Sequence, residues 1–243
     1  MSFLALLSRQ VGACVDLLLP CCCLFCSSTR LLKNCRADIC PDCHQNICSP
    51  VSVCRICASS LSSFSPTSHT CEACLRRTPS FSRVWMVGSY CDPLKGAIHR
   101  LKYRDQIYLS RGLGELLAER LIEDDSQPAF DLVLPVPLHR GRLRERGYNQ
   151  AMEVGRPLSS RTGWPLDGLR LQRLRPTPPQ QGLTLTERDR NLAGAFHCEG
   201  SLAGSRVLLV DDVMTSGATA RECCRVIKQA GAREVAVAIL ARA

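Results

Sequence analysis

Two adjacent carboxylates, Asp211 and Asp212, follow the apolar run 207–210 directly and are followed through Val213 and Met214 by Thr215, Ser216, Gly217, Ala218 and Thr219. Small and hydroxyl residues in such a row can wrap backbone N–H groups around a phosphate, and a helix beginning there adds its partial positive charge. Carboxylates repel phosphate, but they accept hydrogen bonds from sugar hydroxyls or hold Mg²⁺ through water. A site that grips a phosphate at one end and a diol at the other suits a ribose 5-phosphate. A bare Asp-Asp pair would more often be two solvated acids in a strand–loop–helix connection. The hydroxyl-rich tail argues against that here.

A second cluster could serve the same ligand. Arg140, Arg142, Arg144 and Arg146 fall within seven residues, and Gly147-Tyr148-Asn149-Gln150 then opens a helix. The run could cradle pyrophosphate, contact a nucleic-acid backbone or form a plain surface loop. It follows the apolar stretch 132–137, a strand stopped by its prolines, and ligands of open α/β sheets bind beyond the carboxyl ends of strands. Position therefore favours pyrophosphate, which arginine's fork suits.

Cysteine marks a third constellation. Of 17 cysteines, 13 lie before residue 75. Eight form Cys-x-x-Cys pairs in order: Cys23/Cys26, Cys40/Cys43, Cys54/Cys57 and Cys71/Cys74. Two such knuckles complete a tetrahedral S₄ site for Zn²⁺, so the set reads as two structural zinc ribbons. Sequential pairing of the knuckles is simplest, and interleaving stays open. Four evenly spaced pairs argue against a redox dithiol, and paired thiolates for metal belong to a reducing compartment. Cys14, Cys21, Cys22, Cys35 and Cys48 fall outside the spacing, and His44 and His69 read as surface residues beside complete ligand sets. The serine-rich segments between knuckles are poor in large apolar residues, so metal would supply folding energy on the order of 10 kcal/mol per site.

The remaining pattern positions these groups. Apolar runs at 81–90, 132–137, 169–174, 195–196, 207–210 and 235–240 read as strands. Helical spacing appears after Pro93, over 107–123 and from Ala220 to Ala230, where it makes Cys223 and Cys224 core residues. The proline- and threonine-rich stretch from 175 toward Arg188, Arg190 and Asn191 reads as a binding loop. Strands alternating with helices predict an α/β fold with a mainly parallel sheet flanked by helices. The expected organisation is an N-terminal helix over 1–19, a double zinc ribbon over 20–78 and the α/β domain over 79–243. The net charge of +9 suits a polyanionic ligand without choosing which. Arg9 and Asp16 interrupt any spanning stretch and no basic leader precedes it, which predicts a cytoplasmic protein without membrane insertion.

The run from Val207 to Thr219 resembles the phosphoribosyl-pyrophosphate (PRPP) signature of type I phosphoribosyltransferases. With the ribbons, Leu101-Lys102-Tyr103, the Arg146-Gly147-Tyr148-Asn149-Gln150 motif, Gln180/Gln181 and Arg188…Asn191, the whole order of motifs resembles the ComF/GntX family. That resemblance implies a type I phosphoribosyltransferase-like domain behind a double zinc ribbon, linked to DNA uptake and natural transformation. It implies that Asp211 and Asp212 face the ribose, that Thr215 to Thr219 hold the 5-phosphate with Val213 among the substrate-binding residues, and that Mg²⁺ accompanies PRPP. Arg146, Gly147, Asn149 and Gln150 would lie on the pyrophosphate side, Gln180 or Gln181 with Arg188 and Asn191 on the flexible loop over the site, and Lys102 in the Leu-Lys motif as a further substrate contact. Arg140 joins the substrate-binding set from the arginine run itself. The alternative is a scaffold that binds single-stranded DNA or DNA-uptake proteins without turnover.

Overall fold

The computed structural model of this chain describes residues 22–28, 39–48, 52–61, 69–125, 129–177 and 185–243. The expected helix at 1–19, Gln180 and Gln181 lie outside them, as do Cys14, Cys21 and Cys35.

Four strands form one parallel sheet in the order β1-β6-β5-β2, with β1 Val84–Ser89, β2 Leu132–Pro135, β5 Arg206–Met214 and β6 Glu234–Arg242. Both central strands are buried along nearly their whole length, which explains their unbroken apolar sequences. Side chains alternate across the sheet. Leu208 and Val210 enter one apolar cluster, whereas Val207 and Leu209 enter the other.

The first cluster gathers α3 (Leu94–Tyr103), α4 (Leu109–Ile122) and α6 (Gln150–Thr162). Gly114 lets α4 and α6 approach closely, because a Cβ there would sit 2.4 Å from Val154 O and from Pro157 Cγ. The same cluster takes in Cys23, Phe25, Cys40, Cys43 and, from α1 (Pro41–Cys48), Ile47, so the cysteine-rich head shares the core of the sheet. The head also carries the short α2 (Glu72–Arg76), which buries Cys74. The second cluster is covered by α8 (Ala218–Gln229), whose Cys223 and Cys224 are fully buried as its periodicity predicts.

The expected strands near 169–174 and 195–196 depart from the parallel sheet. As β3 (Leu171–Arg173) and β4 (Phe196–Cys198) they pair antiparallel with each other in a separate two-stranded sheet. The expected loop from 175 to 191 also carries a helix, α7 (Leu185–Leu192), after Thr177. The arginine run, read as a loop, is likewise helical: α5 (Arg140–Arg146) is capped by the His139 side chain and ends on Gly147 in the left-handed region. Finally, β5 continues through the acids to Met214 instead of stopping before them.

Candidate functional site

Because Asp211 and Asp212 lie inside β5, alternation sends them to opposite faces. Asp212 is buried on the side of Leu208 and Val210, where its Oδ1 lies 2.9 Å from Lys102 Nζ of α3. Its Oδ2 is buried without a hydrogen-bond partner. Burial alone would lower the Lys102 pKa, but Asp212 and then Asp211 reverse this and leave it above the ordinary lysine value. Lys102 is further fixed by its neighbour, since the Tyr148 hydroxyl donates to Leu101 O.

Asp211 lies on the other face and lines a small depression with Val213, Thr215, Ser216, Gly217, Ala218 and Thr219. Burial, and next the charge of Asp212, pushes its carboxyl up to about 7. Gly217 supplies the left-handed turn (φ 74°) at which α8 begins. The carbonyls of this bend are tied back into the protein. Arg242 Nη1 donates to Met214 O at 2.8 Å and to Thr215 O, and Arg221 Nη1 donates to Ser216 O at 2.8 Å. In a planar trans peptide the carbonyl and the following N–H point opposite ways, so these three contacts turn the amides of Thr215, Ser216 and Gly217 away from the arginines. Among the described residues, those three amides have no protein acceptor. The result is a nest of three available N–H donors at a helix N-terminus, an arrangement whose chemistry suits an anion.

Lys102 also lines a cleft of about 460 Å³ with Tyr103, His139, Arg142, Arg146, Gln150 and Arg173. Arg146 is held by two neighbours: Nη1 donates to Gln150 Oε1 at 2.6 Å, and its guanidinium lies 5.4 Å from the Tyr103 ring centroid. Arg173, at the end of β3, stacks 5.4 Å from the Phe196 ring, and its Nε is buried without a hydrogen-bond partner. Burial lowers the Arg173 pKa, an effect that Cys223 and Asp211 oppose. Asp211 therefore lines the depression at the bend, while Asp212 is tied through Lys102 to a cleft that carries four cationic side chains.

The other expected site residues are placed as follows. Arg140 is exposed on α5 and does not line the cleft. Gly147 is the left-handed end of α5, and Asn149 caps α6, accepting from Ala151 N at 3.0 Å while donating to Val136 O at 3.0 Å. Asn191, on α7, accepts from Arg175 Nη2 through its carbonyl at 2.8 Å. Arg188 lies in α7 with its side chain outside the described residues. Sequence reading did not single out Arg173 or Arg242, because each acts on partners far away in the chain.

The cysteines pair sequentially, Cys23/Cys26 with Cys40/Cys43 and Cys54/Cys57 with Cys71/Cys74, and the sulfurs of each group lie within 4.8 Å of one another. Zn–S bonds of about 2.3 Å imply tetrahedral S···S separations near ~3.8 Å. Cys26 and Cys40 sulfurs stand 3.7 Å apart, Cys57 and Cys71 sulfurs 3.5 Å. Backbone N–H groups point at the sulfurs, from Cys40 to Cys23 Sγ at 3.3 Å and from Cys71 to Cys54 Sγ at 3.2 Å. Burial opposes ionisation, yet such N–H donors bring Cys23 and Cys54 down to about 7. Both groups are compatible with structural zinc.

Residues 146–243 match the phosphoribosyl transferase domain family. Competence protein F of Haemophilus influenzae is 33% identical over 234 residues, covering 91% of this chain and 96% of that protein. The chain belongs to the ComF/GntX family. The DNA utilization protein YhgH of Salmonella typhi, also similar to this ComF/GntX chain, is 31% identical over 84% of this chain and 90% of its own length. Among solved structures, the glutamine phosphoribosylpyrophosphate (PRPP) amidotransferase from B. subtilis overlays with a TM-score of 0.37 at 25% identity, covering 54% of this chain and 25% of that one. Among the described residues, no helix is long and apolar enough to cross a membrane.

Proposed function

We propose that this protein binds PRPP with Mg²⁺ and supports phosphoribosyl transfer to an acceptor in the handling of incoming DNA, in the cytoplasm. The names competence protein F and DNA utilization protein motivate the DNA setting. The observation that carries the reading is the bend after β5, whose carbonyls are held by Arg242 and Arg221 while the amides of Thr215, Ser216 and Gly217 stay available. The 5-phosphate would occupy that nest. Asp211 would accept from the ribose hydroxyls, with Asp212 fixed by Lys102 behind it. Lys102, Arg142, Arg146 and Arg173 would neutralise pyrophosphate as it leaves, which is where positioning and electrostatics lower the barrier for a cationic ribose. The oxygen donors of Asp211 suit a hard cation, and Mg²⁺ would supply further neutralisation of the pyrophosphate.

Calorimetric titration of PRPP with Mg²⁺ tests the binding. Asp211→Asn combined with Asp212→Asn is expected to weaken affinity at least tenfold, about 1.4 kcal/mol. Equal affinity in the wild type and the double variant would remove the proposal. One feature favours a second reading as a binder of single-stranded DNA: Tyr103, on the rim of the basic cleft, is 62% exposed, as a base-stacking platform requires. Such binding would weaken steeply with salt, and salt-independent retention of DNA would sink it.

A further inference from the structure

Arg242 ends β6 and reaches in two directions. Toward the site, Nη1 donates to Met214 O at 2.8 Å and to Thr215 O. Toward the cysteine-rich head, Nη2 donates to Ser59 Oγ at 2.9 Å and Nε to Cys57 O at 3.3 Å. Cys57 belongs to the second Cys₄ group, and Ser59 follows it by two residues. One planar, rigid fork thus joins a metal knuckle to the first two peptides of the anion nest. Lysine would do this less well, because its three donors radiate from one nitrogen on a flexible stem and cannot span both sides at fixed angles.

Two physical consequences follow. Fixing the Met214 and Thr215 carbonyls fixes the direction of the Thr215 and Ser216 N–H groups, since each peptide is planar. The other end of the fork is anchored only as firmly as the knuckle that carries Cys57 and Ser59. A zinc ion with four thiolates carries a net charge of about −2, which would also hold the guanidinium in place. Without the ion, the short ribbon segment lacks the apolar material to keep that shape.

We propose that Arg242 is a positioning residue that couples metal occupancy of the Cys54/Cys57/Cys71/Cys74 group to the orientation of the Thr215 and Ser216 amides, and so to affinity for a phosphorylated ribose. The affinity half of this proposal rests on the nest binding the 5-phosphate, while the ordering half stands independently of any ligand.

The test uses the full chain loaded with zinc, comparing wild type with Arg242→Met and Arg242→Lys. NMR order parameters of the Thr215 and Ser216 amides should fall from about 0.85 to below about 0.6 in Arg242→Met, with zinc content unchanged and Arg242→Lys intermediate. Ribose 5-phosphate should bind about tenfold more weakly. Cys71→Ser, which empties the second group alone, should loosen the same amides when introduced into the wild type, whereas introduced into Arg242→Met it should add little, as expected for two changes acting through one linkage. If Arg242→Met does not fold, Ser59→Ala with Arg242→Lys severs the same bridge more gently. Unchanged order parameters in the variants, or equal and additive loosening by Cys71→Ser in both proteins, would overturn the coupling. Failure of the wild type to bind ribose 5-phosphate would remove the functional reading and the affinity half, and the order parameters would still decide the role of Arg242.

Discussion

Lys102 Nζ and Asp212 Oδ1 lie 2.9 Å apart across the face of the sheet that carries α3, so the buried acid of the signature is neutralised by a residue 110 positions earlier in the chain. Removing one partner of a buried pair leaves an uncompensated charge. Lys102→Met should therefore destabilise the fold by about 3 kcal/mol, the lower end for such pairs because Lys102 retains some exposure. Adding Asp212→Asn should recover part of the loss, and urea unfolding of the three proteins reads both steps.

Asp211 predicts how stability changes with pH. Its folded-state value, about 7, lies above the ordinary 3.8, so the ligand-free fold favours the protonated carboxyl. The resulting stability is complete below about 3.8 and disappears as pH rises through about 7. The melting temperature of the ligand-free protein should fall between pH 5 and 8. Asp211→Asn should flatten that fall and melt higher than wild type at pH 8. A ligand whose hydroxyls donate to the ionised acid should instead bind more tightly as pH rises through the same window, which titration at pH 6 and 8 would check.

Substitution of Arg146 would distinguish the proposed pyrophosphate cleft from the proposed phosphate nest. Arg146 lines the cleft beside Gln150 and Tyr103 and is absent from the lining of the nest. Arg146→Gln should weaken PRPP at least tenfold while leaving ribose 5-phosphate affinity within a factor of two, a comparison that calorimetry can make directly.

Metal analysis of the purified protein should find two zinc ions per chain. Cys26→Ser should remove one and Cys71→Ser the other, following the sequential pairing of the knuckles. A chelator should unfold the head, because binding on the order of 10 kcal/mol per site is comparable to the whole stability of an ordinary domain.

Much of this arrangement was legible in the residues. The unbroken apolar runs of β5 and β6 belong to strands covered on both faces, and the Cys-x-x-Cys spacing named the eight sulfurs, although only the fold shows that the knuckles pair sequentially. The arginine run misled because Arg-Gly-Arg-Leu-Arg-Glu-Arg has no apolar stripe to announce a helix, although Gly147 was a stop signal in plain view. The acids were expected just past the strand because carboxylates usually leave a buried sheet. Lys102 permits Asp212 to remain inside. The strands β3 and β4, three residues each, carry too short a pattern to reveal that they pair apart from the main sheet. Arg173 and Arg242 matter only through tertiary partners, and no local periodicity points to either.

The most direct measurement is a crystal structure of the protein soaked with PRPP and Mg²⁺. The account predicts the 5-phosphate on the amides of Thr215, Ser216 and Gly217, the ribose hydroxyls at Asp211, and pyrophosphate among Lys102, Arg142, Arg146 and Arg173. Ligand density elsewhere on the chain, with the nest after β5 left to solvent, would contradict it.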